Sequence, residues 1–427
     1  MFSPGVFVLA AVVFGYGVLS RRLAGLSITG PMVFVFAGVV VGPTGFGLVD
    51  LPFTTGGVEF LAEATLGLVL FSDAIRIDLK VLGRQYRLPA RLLGIALPLT
   101  IGLGTVAALG LFTGLGWPEA ALIGAILAPT DAALGQEVVT NRHVPVRIRQ
   151  ALNVESGLND GLVLPVITIL VGIAAMQMGV STVSGVQFAV EQIGFALIVG
   201  IAVGAGGGFL IRAAIQKGWI DGIFRQLATL SVAVLALTGA QVVGGNGFIA
   251  AFVAGLAFGW VARAECKYVQ DFTEDTGQLL SMLTFFFFGA LVVGPALDDL
   301  TWQIALYVVF ALTLMRMVPV GLSMIGAGLR GESVLFMGWF GPRGLASILF
   351  GLLIVRDAEI PGGEFILLVV TWTVIASIVA HGITARPWAN RYAESFEHMP
   401  DAAAMPEEKP VEEMPVRTFS LDWGPKP

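Results

Sequence analysis

From Pro4 to about residue 387 the sequence is a succession of apolar stretches, each about 17–25 residues long, separated by short polar links. In hydrocarbon such stretches can satisfy their backbone polar groups only as helices, so the pattern prescribes an all-α polytopic membrane protein. About thirteen transmembrane helices are expected, beginning near Pro4, Ser27, Gly57, Pro89, Pro118, Arg147, Val186, Gln226, Gly247, Asp271, Thr301, Ser333 and Gly363. The links include GPTGFG, GWPEA, VVGGNG and DAEIPGGE. Only 13% of residues are charged and 56% are hydrophobic, which disfavours a soluble enzyme. The first run, PGVFVLAAVVFGYGVLS, has no basic start and no small-residue cleavage site, so it reads as a retained helix. The single cysteine, Cys266, excludes an internal disulfide, and His143, His381 and His398 are too scattered for a metal cluster. The net charge of -6 owes much to the C-terminal tail and points to no nucleic-acid partner.

The basic residues orient the chain. Links after the odd-numbered spans carry Arg21, Arg22, Arg76, Lys80, Arg84, Arg87, Arg91, Arg142, Arg147, Arg149, Arg212, Lys217, Arg225, Arg263, Lys267 and Arg330. The alternate links hold only Arg356, beside acidic residues. Positive links stay in the cytoplasm, so the N-terminus is expected outside and the C-terminus inside. Beyond residue 387 the sequence turns acidic and proline-bearing (DAAAMPEEKPVEEMP), and residues 388–427 read as a short disordered cytoplasmic tail, too short for a regulatory domain.

Ionisable groups at membrane depth are costly and mark functional sites. Asp131, Asp160, Arg316 and Arg343 each fall near the middle of a different span, with Glu155 slightly nearer the cytoplasm. Within NVESGLND, Glu155 and Asn159 are four residues apart, as are Ser156 and Asp160, so each pair shares a helix face. That spacing lets Asn159 hold Glu155 and aims Ser156 and Asp160 together as oxygen ligands for a hard cation. Two spans look interrupted, at Pro129 in ILAPTDAAL (residues 129–131) and at Gly341-Pro342-Arg343-Gly344 (341–344). Broken helices at membrane depth survive where they line a polar cavity. If about 1–176 and about 222–387 form two inverted six-helix repeats, the breaks fall on corresponding helices, the plan of a secondary transporter with a midplane site. The helix over about 186–214 is then a linker, and its Gly200, Gly204 and Gly208 indicate close packing.

PTDAALG and NVESGLNDG, with the adjacent Asn-Asp pair, resemble the monovalent cation:proton antiporters of the NhaP and sodium–hydrogen exchanger type. GFIAAFVAGLAFG, LTFFFFGALV, RMVPV, GPRGLAS and SIVAHGITARP extend the resemblance along nearly the whole chain. It implies thirteen spans, a six-helix core and a dimerisation domain, hence a homodimer. It implies Asp160 as the residue that binds Na⁺ or H⁺, flanked by Thr130 and Asp131 and shaped by Glu155 and Ser156. Arg316 would pair with Glu155, and Arg343 would lie opposite Asp131. Many members carry an acid directly after the phenylalanine of the third span; here Ser72 stands there and Asp73 follows, leaving a third-helix contribution from Asp73 open.

The expected activity is obligatory exchange of Na⁺ for H⁺ by alternating access, with no cofactor and one carboxylate serving both ions in turn. With Asn159 neutral and Glu155 neutralised by Arg316, exchange is expected to be electroneutral, one for one. Li⁺ or K⁺ as the cation, the same fold as a K⁺/H⁺ antiporter, and a cation channel are the alternatives. The Asn-Asp signature points to a prokaryotic plasma (inner) membrane.

Overall fold

The computed structural model describes residues 4–49, 56–131, 134–177, 185–357, 360, 362–397, 405–409 and 411–415. Its helices are α1 (Pro4–Gly25), α2 (Gly30–Val41), α3 (Gly56–Arg76), α4 (Leu79–Gln85), α5 (Arg87–Leu111), α6 (Trp117–Ile126), α7 (Gln136–Thr140), α8 (Val146–Gln177) and α9 (Gly185–Gln216). There follow α10 (Gly222–Val242), α11 (Gly247–Val261), α12 (Arg263–Phe288), α13 (Trp302–Leu312), α14 (Leu314–Ser323), α15 (Gly331–Trp339), α16 (Leu345–Asp357) and α17 (Gly363–Glu397). No strand occurs among the described residues.

Eight described helical stretches are individually long and apolar enough to cross a membrane. α2 and α11 are apolar but shorter, and helix is interrupted at residues 127–131 and 340–344. Length and hydropathy therefore single out fewer spans than the thirteen expected, because helices that stop at an internal break or pack wholly inside protein need not reach full length. The outward faces are apolar: Phe7, Val18, Ile198, Phe209 and Val242 are exposed, as hydrocarbon contact requires. Inside, hydroxyls return to their own helix; Thr65 donates to Leu61 O (2.6 Å) and Thr168 to Leu164 O (2.9 Å).

α9 lies along α11. A Cβ at Gly200 would fall 2.7 Å from Ala250 O, one at Gly204 would overlap Ala254, and one at Gly208 would crowd Val261. The glycine stripe is thus a packing seam, as its spacing indicates.

The tail differs from expectation. α17 continues to Glu397, and residues 405–409 and 411–415 lie against the arginine-rich end of the bundle rather than being disordered. Glu407 is fully buried, and its Oε1 accepts from Arg330 N and Ser333 Oγ, both at 2.8 Å. Composition alone read this segment as solvated; its acids meet arginines brought together from separate helices, which only the fold supplies. His398 and the remainder of the tail lie outside the described residues.

Candidate functional site

Both interruptions form where the sequence placed them. α6 stops at Ile126 and α15 at Trp339, and the extended stretches that follow cross, with Asp131 N donating to Pro342 O at 2.7 Å. Each half-helix end leaves backbone groups that hydrocarbon cannot satisfy, so their partners define the architecture. At the C-terminus of α6, Ile126 O accepts from Ser347 Oγ (2.8 Å) and Leu127 O from Arg343 Nε (3.0 Å). Arg343 Nη1 also donates to Gly341 O at 2.5 Å. At the N-terminus of α16, Leu345 N donates to Asp131 Oδ2 at 3.0 Å. Asp131 therefore lies at a positive helix end and Arg343 at a negative one, each countering the local dipole. Gly341 and Gly344 permit the crossing: a Cβ at Gly341 would come within 2.5 Å of the Arg316 guanidinium, and one at Gly344 would overlap the Asp131 carboxylate.

α8 runs past this crossing. Ser156 Oγ donates to Thr130 O at 2.7 Å, and Asn159 Nδ2 donates to Thr130 Oγ1 at 2.8 Å. Asn159 does not hold Glu155, contrary to the reading from spacing. Helical spacing identifies only neighbours on the same helix, whereas the exposed backbone of the first break offers Asn159 a partner across helices. Glu155 is instead gripped by Arg316, whose Nη1 meets Oε1 and whose Nη2 donates to Oε2 at 2.7 Å. Both members of this pair are almost fully buried, Arg316 at 1% exposure and Glu155 at 2%. Asp160 is 8% exposed and lies one turn beyond Ser156 on the same face. The next residue, Gly161, has the Phe252 ring of α11 directly against it; a Cβ there would come within 2.4 Å of the ring.

The structure thus gathers Thr130, Asp131, Glu155, Ser156, Asn159, Arg316 and Arg343 at one crossing, with Asp160 beside it. Asp73 is placed differently. Its Oδ1 pairs with Arg76 Nη2 at 2.5 Å, one turn along α3 toward the arginine-rich end, so its carboxylate is engaged locally. Sequence reasoning missed Ser377 and His381. Ser377 Oγ accepts from Arg343 N (2.7 Å) and lies 3.2 Å from His381 Nδ1, while His381 Nε2 is 3.0 Å from Trp339 O. Nδ1 also lies 3.0 Å from Ser377 O, and the chain of contacts ties both sides of the second break to α17. The i, i+4 pair in SIVAHGITARP was the available signal.

Known proteins share this arrangement of helices. The family model described as "Sodium/hydrogen exchanger, transmembrane" matches residues 8–391. A K(+)/H(+) antiporter NhaP of Alkalimonas amylolytica is 27% identical over 368 residues, covering 84% of this chain and 61% of that protein. The Na(+)/H(+) antiporter ApNhaP of Aphanothece halophytica is 27% identical over 362 residues, covering 81% and 67%. The chain spans about three-fifths to two-thirds of the length of these relatives. Among solved structures, the sodium proton antiporter MjNhaP1 of Methanocaldococcus jannaschii at pH 8 superposes with a TM-score of 0.75 at 21% identity, over 91% of this chain and 98% of that one.

Proposed function

The chain belongs to the sodium/hydrogen exchanger family, and from that premise we propose that it exchanges Na⁺ for H⁺ across a membrane, with Asp160 holding either ion in turn. The observation that carries this reading is the division of charge at the crossing. Glu155 is paired with Arg316, and Asp131 and Arg343 lie at helix ends, whereas Asp160 lies inside the continuous helix α8, one turn beyond Ser156 and beside the crossing. A carboxylate can hold a proton or serve as an oxygen ligand to an alkali cation. One carboxylate cannot hold both, which makes the two ions competitors. If the core switches sides only when Asp160 is occupied, transport is obligatory exchange. Oxygens near a bound cation would come from Asp160 and Ser156, with Thr130 positioned by Asn159.

Two inverted repeats, a core domain separate from a dimerisation domain, and a homodimer complete the proposal. The arginine-rich face is read as cytoplasmic, with the N-terminus outside, in a prokaryotic plasma membrane, where exchange serves pH homeostasis. With Asn159 neutral and Glu155 paired, exchange is one for one and electroneutral. A second reading, K⁺/H⁺ exchange at the same carboxylate, is supported by relatives of that name. Membership of an exchanger family favours both over a channel.

The test is proton movement in proteoliposomes loaded with a pH-sensitive dye and challenged with Na⁺, Li⁺ or K⁺. Wild-type protein is expected to dissipate the proton gradient with at least one of these cations, and Asp160→Asn is expected to be inactive while still folded. Substantial exchange by Asp160→Asn would remove Asp160 from the carrier role. An imposed membrane potential should not drive net cation uptake; if it does, a second group titrates.

A further inference from the structure

The segment 405–415 does not merely rest on the bundle; it is bonded to α8 below Asp160. Gln150 and the Met414 backbone exchange two hydrogen bonds, Met414 N to Oε1 at 2.9 Å and Nε2 to Met414 O at 3.4 Å. Asn153 Nδ2 donates to Pro415 O at 3.2 Å, and Arg147 Nη1 donates to Pro406 O at 2.6 Å. Arg149 faces Glu413 at 3.4 Å, and Glu407 ties the same segment to the start of α15, the half-helix that leads to the second break. Asn153 and Asp160 are seven residues apart, two turns on one face of α8, or about 10 Å along its axis. Pro415 O thus meets the lowest member of a column of side chains that continues through Ser156 to Asp160. A cavity of about 240 Å³ remains beside it, walled on one side by Gln150, Ala151 and Val154 of α8 and on the other by Lys409, Val411 and Met414 of the tail. Met414 is only 5% exposed, so its side chain fills space that would otherwise be open at this face.

We propose that residues 405–415 are an autoinhibitory plug, a peptide ligand of the chain's own arginine-rich face that closes the cytoplasmic approach to Asp160. The proposal rests on the functional reading above for what is inhibited, but not for whether the approach is closed. Occupant and surface match chemically. The segment carries Glu407, Glu408, Glu412 and Glu413, and the face carries Arg84, Arg87, Arg147, Arg149 and Arg330. Because the plug bridges α8 and α15, seating it also links the two helices that flank the crossing.

Accessibility provides a test that does not need transport. In a Cys266→Ser background, Asn153→Cys is labelled with a membrane-impermeant maleimide in the full chain and in protein truncated after residue 404. If the plug is seated about 90% of the time, truncation raises the labelling rate, and the initial rate of cation–proton exchange in protein with Asn153 intact, about tenfold. Equal labelling of the two proteins overturns the proposal. A reversible lock covers the case in which truncated protein does not fold. Gln150→Cys with Met414→Cys, oxidised to a disulfide, is expected to slow exchange, and reductant is expected to restore it. Exchange as fast in the oxidised as in the reduced protein overturns the plug. If no protein exchanges any alkali cation while truncation still exposes position 153, the plug stands and the functional reading fails.

Discussion

At the first interruption, after α6, the charge is Asp131, and its carboxylate meets the N-terminal amide of α16. At the second, after α15, the charge is Arg343, and its guanidinium meets carbonyls of Leu127 and Gly341 at helix C-termini. The two breaks are alike in backbone plan and opposite in charge, and each charge opposes the helix end it touches. On the proposed reading, the difference separates scaffold charges from the one that carries ions. A charge that completes a helix end cannot be given up in every cycle without loosening the crossing. Asp160 lies inside the continuous helix α8, where no helix end needs it.

Substitutions can break this comparison, and the largest expected effect lies beside the breaks. Glu155→Gln leaves Arg316 as a buried charge without its carboxylate and is expected to cost about 3–5 kcal/mol, read as a lowered denaturation midpoint in detergent. Glu155→Gln combined with Arg316→Met should recover most of that loss; no recovery would mean that the pair does more than cancel charge. Arg343→Met strips donors from Leu127 O and Gly341 O and is expected to cost about 2–4 kcal/mol, with exchange lost alongside stability. Asp131→Asn removes the dipole-opposing charge but keeps an acceptor for Leu345 N, so about 0.5–2 kcal/mol and a slowed rate are expected. If Asp131→Asn were fully inactive yet as stable as wild type, Asp131 would belong with Asp160 rather than with Arg343. Ser156→Ala leaves Thr130 O with Asn159 as its remaining donor and is expected to cost about 1 kcal/mol, visible mainly as weaker apparent cation affinity.

The same contrast explains what could be read from the chain beforehand. The breaks were legible because proline and glycine act locally, through a missing donor and a missing side chain. Glu155 with Arg316 was expected only from the family resemblance, and the structure forms that pair. Asn159 was misjudged because its partner, Thr130, reaches it only after two spans cross. Asp73 and Arg76 were both visible in the sequence, but their pairing depends on rotamers rather than spacing alone. The docked tail was illegible for a related reason. Its four glutamates read as solvated until Arg87 of α5, Arg147 and Arg149 of α8 and Arg330 just before α15 come together, a property of no single segment. Ser377 and His381 looked like polar residues of one helix; their role emerges from the carbonyl and amide that the second break frees.

The central claim is that one carboxylate is shared by a proton and an alkali cation, and proton release on cation binding measures this directly. Calorimetry of purified protein with Na⁺ or K⁺, repeated in buffers of different ionisation enthalpy, counts protons released per cation bound. About one is expected at the acidic end of the range in which the cation still binds, falling as the pH rises, with neither binding nor release in Asp160→Asn. Cation binding without proton release, or release undiminished in Asp160→Asn, would contradict the account.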